Sequence, residues 1–152
     1  METCLKPQLS YSVSYDNISA VPVIIVAAGA SNRMGGINKQ TMVICDMPVI
    51  ARTLSAFQKS PYISKIILVT REEDIFLMQG ICNKYGINKI SDIVPGGSDR
   101  HASVLCGMER LDTSDKTVLI HDGARPFVND DMIYDAISAL SQYDGSLCAI
   151  KV

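Results

Sequence analysis

Three short stretches of this 152-residue chain gather residue types that suit phosphate chemistry. In AAGASNRMGGINKQ (27–40), four minimal side chains, Ala27, Ala28, Gly29 and Ala30, precede two cations, Arg33 and Lys39. Small residues let a ligand lie against the backbone and hydrogen-bond to its N–H and C=O groups. Two fixed positive charges beside such a surface suit a polyphosphate with a base attached. The stretch is neither GxGxxG nor GxxxxGK[ST]. Taken alone, it fits a tight strand-to-helix turn with a solvated Arg and Lys equally well.

The second stretch is VPGGSDRHASV (94–104). Gly96 and Gly97 separate an expected strand from a helix whose first turn holds Ser98, Asp99 and Arg100. A helix start offers free N–H donors, and Ser98 and Ser103 add hydroxyls, a set suited to the polar edge of a base or a sugar hydroxyl. A capped helix after a glycine turn explains the same residues. His101 reads as a surface residue of that helix.

The third stretch is IHDGARPF (120–127), where Asp122 stands one residue, His121, beyond the apolar run VLI, at the strand's carboxyl end. Core packing does not explain an acid there. Mg²⁺ prefers carboxylate oxygen and bridges to substrate phosphates, so Asp122 is the candidate metal ligand, with a loop carboxylate capping its neighbours as the alternative. Gly123 and Ala124 keep the backbone open, Arg125 reads as a brace for the loop, and His121 as packing beside the strand end. Together the three loops describe a nucleotidyl-transfer site. Such a site needs no nucleophilic Ser or Cys, because a substrate phosphate is already an anion and attacks directly. The protein supplies positioning and charge stabilisation.

These loops need a scaffold, and the rest of the chain reads as one. The apolar run 21–27 suits a strand buried on both faces. Further strands are expected at 65–70, 89–94, 117–121 and 146–152, and helices at 47–60, 72–86, 98–111 and 129–145. Strand and helix alternate, so the expected fold is α/β, a Rossmann-like open and mostly parallel sheet with helices on both faces. In such sheets ligands bind beyond the carboxyl ends of the strands, where all three loops fall. Residues 1–20 read as a loosely ordered polar extension, and 21–152 as one nucleotide-binding domain.

Bulk properties narrow the class. Hydrophobic residues make up 47% and charged residues 20% of the chain, and the net charge is −2. That excludes a broad basic field for nucleic acid. No apolar run approaches the roughly 20 residues of a membrane span, and no charged segment followed by an apolar stretch marks a signal peptide. The five cysteines, at 4, 45, 82, 106 and 148, form no CxxC. They suit a reducing cytoplasm, and a zinc cage is not expected.

AAGASNRMGGINKQ, GGSDRHASV and HDGARPF, in this order and separation, resemble the 2-C-methyl-D-erythritol 4-phosphate cytidylyltransferase family, over about 21–152. The resemblance implies a reaction of CTP with methylerythritol phosphate, giving CDP-methylerythritol and pyrophosphate with Mg²⁺, in non-mevalonate isoprenoid synthesis. It implies CTP contacts from Ala27, Ala28, Gly29, Ala30, Gly97, Ser98, Ser103 and Gly123, with Arg100 supporting that surface. Arg33 and Lys39 would stabilise the pentacoordinate α-phosphorus, and Asp122 would bind Mg²⁺. Ser31 stands where the family commonly has glycine, and Ser98 where it often has an acid, with Asp99 following. The family continues well past the match to SLCAIKV, so the chain is expected to correspond to the nucleotide-binding half. CTP binding is then expected to survive weakly, turnover to be poor or absent, and the family's homodimer to lack its arm. Ribitol-5-phosphate cytidylyltransferase and a non-catalytic CTP-binding module are the rival readings.

Overall fold

A computed structural model describes residues 18–29 and 39–149. The elements in chain order are β1 (Val21–Val26), β2 (Val43–Ile44), β3 (Met47–Pro48), α1 (Val49–Lys59), β4 (Ile63–Thr70), α2 (Ile75–Lys84), β5 (Ile90–Pro95), α3 (Arg100–Met108), β6 (Leu119–Asp122) and α4 (Asp130–Ser138). Four strands form one sheet in the order β5-β4-β1-β6, and every pair in it is parallel. All six residues of VPVIIV in β1 are buried, as a central parallel strand requires.

The alternation along β1 and β4 divides the core into two faces. Val23, Ile25, Ile66 and Leu68 meet Ile50, Leu54 and Phe57 of α1, Met78 and Ile81 of α2, and Ile133 and Ile137 of α4. Ile24, Val26, Ile67 and Val69 point the other way and pack with Val94 of β5 and Val104 of α3. Helices therefore cover both faces, as expected. Each such buried aliphatic side chain contributes roughly 1.5–3 kcal/mol. Helix α3 lies close against the sheet because Gly107 has no side chain; a Cβ there would sit 2.6 Å from Ile24 Cγ2.

Several element boundaries differ from the expectation, each for a local reason. The helix expected over 47–60 begins at Val49, because a short antiparallel hairpin of β2 and β3 occupies 43–48 and leaves Pro48, extended and without a capping bond, at the N-cap position. The hairpin turns on Cys45 and Asp46, both at positive φ (47° and 62°). Arg52 of α1 donates to the carbonyls of Ile44 and Cys45 and so holds that turn. The helix expected over 72–86 opens with a 3₁₀ turn, Glu72–Asp74, and stops before Gly86, at φ 66°. The helix expected over 98–111 is shorter, with Asp99 as its N-cap accepting from the Ala102 N–H. Asn129 caps α4 in the same way through Met132, and a 3₁₀ turn, Ala139–Ser141, ends it.

The strand expected over 146–152 is not formed over its described part. Residues 146–149 are exposed and join no ladder. They run along α4 instead, where the Ser146 hydroxyl donates to the Ala136 carbonyl. An apolar stretch becomes a strand only beside a ladder partner, and β6 is paired only with β1 among the described residues. Residues 150–152 lie outside the described residues, as do 1–17 of the expected extension. Ile18 packs against the core.

Candidate functional site

The strand ends are in register: Val26 pairs with Asp122 and with Val69, and Thr70 with Pro95. Each chemistry-bearing loop leaves the sheet with its first N–H tied to a neighbouring strand. Ala27 donates to the Val69 carbonyl at 2.7 Å, Gly96 to Thr70 at 2.8 Å and Gly123 to Val26 at 2.8 Å. Three loops anchored in this way must share one edge of the sheet. Between them is a cleft of about 580 Å³, lined from the first loop by Ala28, Gly29 and Lys39, from the second by Gly97, Ser98 and Arg100, and from the third by Asp122 and Ala124. Another hollow of about 500 Å³ lies between α4 and 146–149. Its described lining carries one charged residue, Asp135, and no cation, so the chemistry belongs to the first cleft.

The expected site residues sort by what each presents. Ala27 is buried in the core, so its backbone alone is available. Ala28 is half-buried. Gly29 is exposed, and a Cβ there would meet no atom of the described residues within 4 Å. Ala30 and Arg33 lie outside the described residues. Lys39 is half-buried on the cleft wall.

In the second loop, close packing demands both glycines. A Cβ on Gly96 would lie 2.4 Å from Ala28 Cβ, and one on Gly97 2.4 Å from Ala102 Cβ. The Gly96 contact brings the first and second loops together. Ser98 is exposed, whereas Ser103 is buried and bonded within the loop. The Ser103 hydroxyl donates to the Asp99 carbonyl at 2.7 Å and accepts from the Gly97 N–H at 3.2 Å. Its proton is used to shape the turn, and one lone pair remains for a ligand.

Asp122 is the last residue of β6 rather than the first residue after it. Its two carboxylate oxygens face two arginines. Arg100 donates through Nε and Nη2 to Oδ1 at 3.1 and 3.0 Å, and Arg125 through Nη2 to Oδ2 at 2.9 Å. Arg125 thus braces the loop as expected, and Arg100 does so as well. Both guanidinium groups are well exposed, and such pairs exchange readily with water and ions. No group of three or more His, Cys, Asp or Glu side chains able to hold a metal occurs among the described residues. A single carboxylate with waters and substrate phosphates is the usual Mg²⁺ arrangement, so Asp122 fits that cation once an arginine yields an oxygen. His121 turns inward, its ring 4.9 Å from that of Phe57 in an edge-on contact. Burial holds its imidazole below the ordinary value of 6.5; Asp122 opposes that shift and Arg125 adds to it.

The family model of 2-C-methyl-D-erythritol 4-phosphate cytidylyltransferase (IspD) matches residues 21–152. The chain belongs to the IspD family. The protein of that name from Clostridium botulinum (strain Langeland) is 44% identical over 129 residues, covering 84% of this chain and 56% of the relative. The one from Alkaliphilus metalliredigens is 40% identical over 136 residues, covering 88% and 56%. Among solved structures, 4-diphosphocytidyl-2C-methyl-D-erythritol synthase from Anaerococcus prevotii superposes with a TM-score of 0.69 at 30% identity, covering 82% of this chain and 52% of that one. The Francisella tularensis IspD structure gives 0.61 at 28% identity, covering 82% and 54%. The chain spans a little over half the length of the curated relatives it matches. Among the described residues, no helix is long and apolar enough to cross a membrane.

Two residues of this IspD-family chain stand at the site without having been read as site residues from sequence. Gln40 is buried, and its Oε1 would lie 2.9 Å from a Cβ on Gly123. Thr53 is fully buried, and its hydroxyl donates to the Gly123 carbonyl at 2.8 Å. The signal for Thr53 was present: a hydroxyl on the apolar stripe of an amphipathic helix needs a partner.

Proposed function

We propose that the cleft binds CTP with Mg²⁺, and that the chain is the nucleotide-binding part of a cytidylyltransferase. The reaction is attack by the phosphate of 2-C-methyl-D-erythritol 4-phosphate on the α-phosphorus of CTP. A new P–O bond forms, the bond to the β-phosphate oxygen breaks, and pyrophosphate leaves with CDP-methylerythritol as the other product. The observation that carries this reading is the convergence of Gly29, Lys39, Ser98 and Asp122 on one cleft, in a chain of the IspD family.

Each residue has a task in this reading. The backbone of Ala27 to Ala30 lies against the nucleotide. Gly97 and Ser98 meet the base, with Ser103 setting the turn that presents them, and Gly123 lies near the ribose. Lys39 on the cleft wall, with Arg33, neutralises charge that builds on the α-phosphoryl oxygens, an effect strongest away from bulk water. Asp122 would hold Mg²⁺, which would supply further neutralisation of the phosphates. Arg100 and Arg125 pair with the Asp122 carboxylate and fix its position at the cleft. None of these steps requires a general base, because the attacking group is an anion.

Isothermal titration of this chain with CTP and Mg²⁺, against ATP as control, tests the binding half. Saturable binding that prefers CTP is expected, and no heat with either nucleotide refutes it. Turnover is measured separately, with methylerythritol phosphate and with ribitol 5-phosphate as acceptors. Product from methylerythritol phosphate alone is the expected outcome for a chain that turns over. Binding without product from either acceptor identifies a non-catalytic CTP-binding module.

A further inference from the structure

We propose that Thr53 is a positioning residue for the metal-binding loop, acting through the Gly123 carbonyl. Through it, the first turns of α1 hold both cleft walls in one frame. The inference rests on the reading of this cleft as the CTP site.

The geometry is specific. A helical Thr hydroxyl ordinarily returns its proton to the carbonyl one turn back. Here that carbonyl, Val49, is 3.3 Å away, while Gly123 O is 2.8 Å away and 70 residues distant in sequence. A hydroxyl has one proton, and the shorter contact takes it. The Gly123 N–H is bound in turn by Val26 O at 2.8 Å. Both peptide planes that meet at Gly123 are therefore anchored, one to β1 and the other to α1. The plane on one side carries Asp122, and the plane on the other carries Ala124, which lines the cleft. The Arg125 N–H donates to the Asp122 carbonyl at 3.1 Å and closes the turn.

The same helix start holds the opposite wall. The Ile50 N–H donates to Gln40 O and the Val49 N–H to Met42 O, both at 2.9 Å, which fixes the chain just after Lys39. Lys39 and Asp122 are thus referenced to one rigid turn and not to two independent loops. Loss of the Thr53 hydroxyl would leave a buried carbonyl unpaired and free the 123–124 plane to rotate in search of a donor. A sub-ångström shift of Asp122 would follow, and charge contacts at a phosphate site are sensitive to displacements of that size.

The test compares Thr53→Val, which keeps the shape and removes the hydroxyl, with Thr53→Ser, which keeps the hydroxyl and removes a buried methyl. Three readouts are taken on the full chain: melting temperature, CTP·Mg²⁺ affinity by calorimetry, and the ¹³C shift of the Gly123 carbonyl. Thr53→Val is expected to weaken CTP·Mg²⁺ binding about tenfold, the scale of one lost hydrogen bond, and to move the Gly123 carbonyl resonance. Thr53→Ser is expected to melt at a lower temperature yet bind within about twofold of the parent. Stability and affinity then part company, which a merely structural threonine does not produce. Wild-type affinity in Thr53→Val, or affinity lost in Thr53→Ser, overturns the proposal. If Thr53→Val does not fold, the serine variant alone decides it. If the parent binds no CTP, the nucleotide reading fails by itself, and an unshifted Gly123 carbonyl in Thr53→Val separately removes the clamp.

Discussion

Replacing Gly107 by alanine sets a local gain against a tertiary cost. In an isolated helix this exchange stabilises by up to about 1 kcal/mol, because glycine loses more backbone entropy on folding. In α3 the new Cβ would lie 2.6 Å from Ile24 Cγ2 and 3.1 Å from Val69 Cγ2. Carbon atoms pack best at about 3.5–4.0 Å, so roughly 1 Å of space must be made. Both neighbours are β-branched and fully buried, and their χ1 angles have little freedom. The helix itself must therefore lift from the sheet, at an overpacking cost of roughly 1–3 kcal/mol. The net expectation is a loss of up to about 2 kcal/mol, or a melting temperature lower by up to roughly 4–8 °C for a domain of this size. Gly80, on the solvent-facing side of α2, has nothing among the described residues within 4 Å of its Cβ position, so Gly80→Ala keeps the whole gain. Its melting temperature should rise by roughly 1–3 °C. Thermal melts followed by circular dichroism, run side by side, give the answer. If both substitutions raise the melting temperature, the close approach of α3 to β1 is not as described. Lifting α3 also displaces Asp99, Arg100 and Ser103 from the cleft, so CTP·Mg²⁺ affinity should fall in Gly107→Ala and hold in Gly80→Ala.

Asp122→Asn should lower Mg²⁺-dependent CTP affinity more than tenfold, measured by calorimetry, while moving the melting temperature little, because its arginine partners are exposed and such pairs contribute at most about 1 kcal/mol. Equal affinity in the variant would remove Asp122 from the metal site. The imidazole of His121 should titrate by NMR with a midpoint below 6.5, since burial disfavours its charged form. Between that midpoint and 6.5 the unfolded chain binds more protons, so this contribution to stability declines as pH falls below 6.5; urea midpoints that do not decline there would contradict it. Asn129→Ala removes the cap that accepts from the Met132 N–H. It should cost about 1 kcal/mol in urea unfolding and leave CTP affinity unchanged, since Asn129 is away from the cleft.

Much of this protein was legible from local pattern. The uninterrupted apolar run of β1, the alternation of strands with amphipathic helices, and the caps at Asp99 and Asn129 depend on residues within a turn or two of one another. Covalent connection enforces such relations, so a linear reading captures them. The three loops were readable for the same reason: minimal side chains, cations and an acid at strand ends announce backbone access and charge without reference to any partner. The β2–β3 hairpin was not legible, because its turn uses Cys45 and Asp46 at positive φ where Asn-Gly is the recognisable signal, and its support comes from Arg52 in the next helix. The strand expected at 146–152 failed over its described part, because a strand is defined by its neighbour and 146–149 lie along α4.

The side-chain pairings at the site belong wholly to the tertiary level. Arg100 meets Asp122 across 22 residues and Thr53 meets Gly123 across 70. Composition and periodicity carry no trace of who faces whom. Packing decides it: the closed sheet brings the exposed Arg100 and the half-buried Asp122 together at one end, and it leaves the buried Thr53 hydroxyl and Gly123 carbonyl, cut off from water, with each other as partners; chain order has no say in either choice.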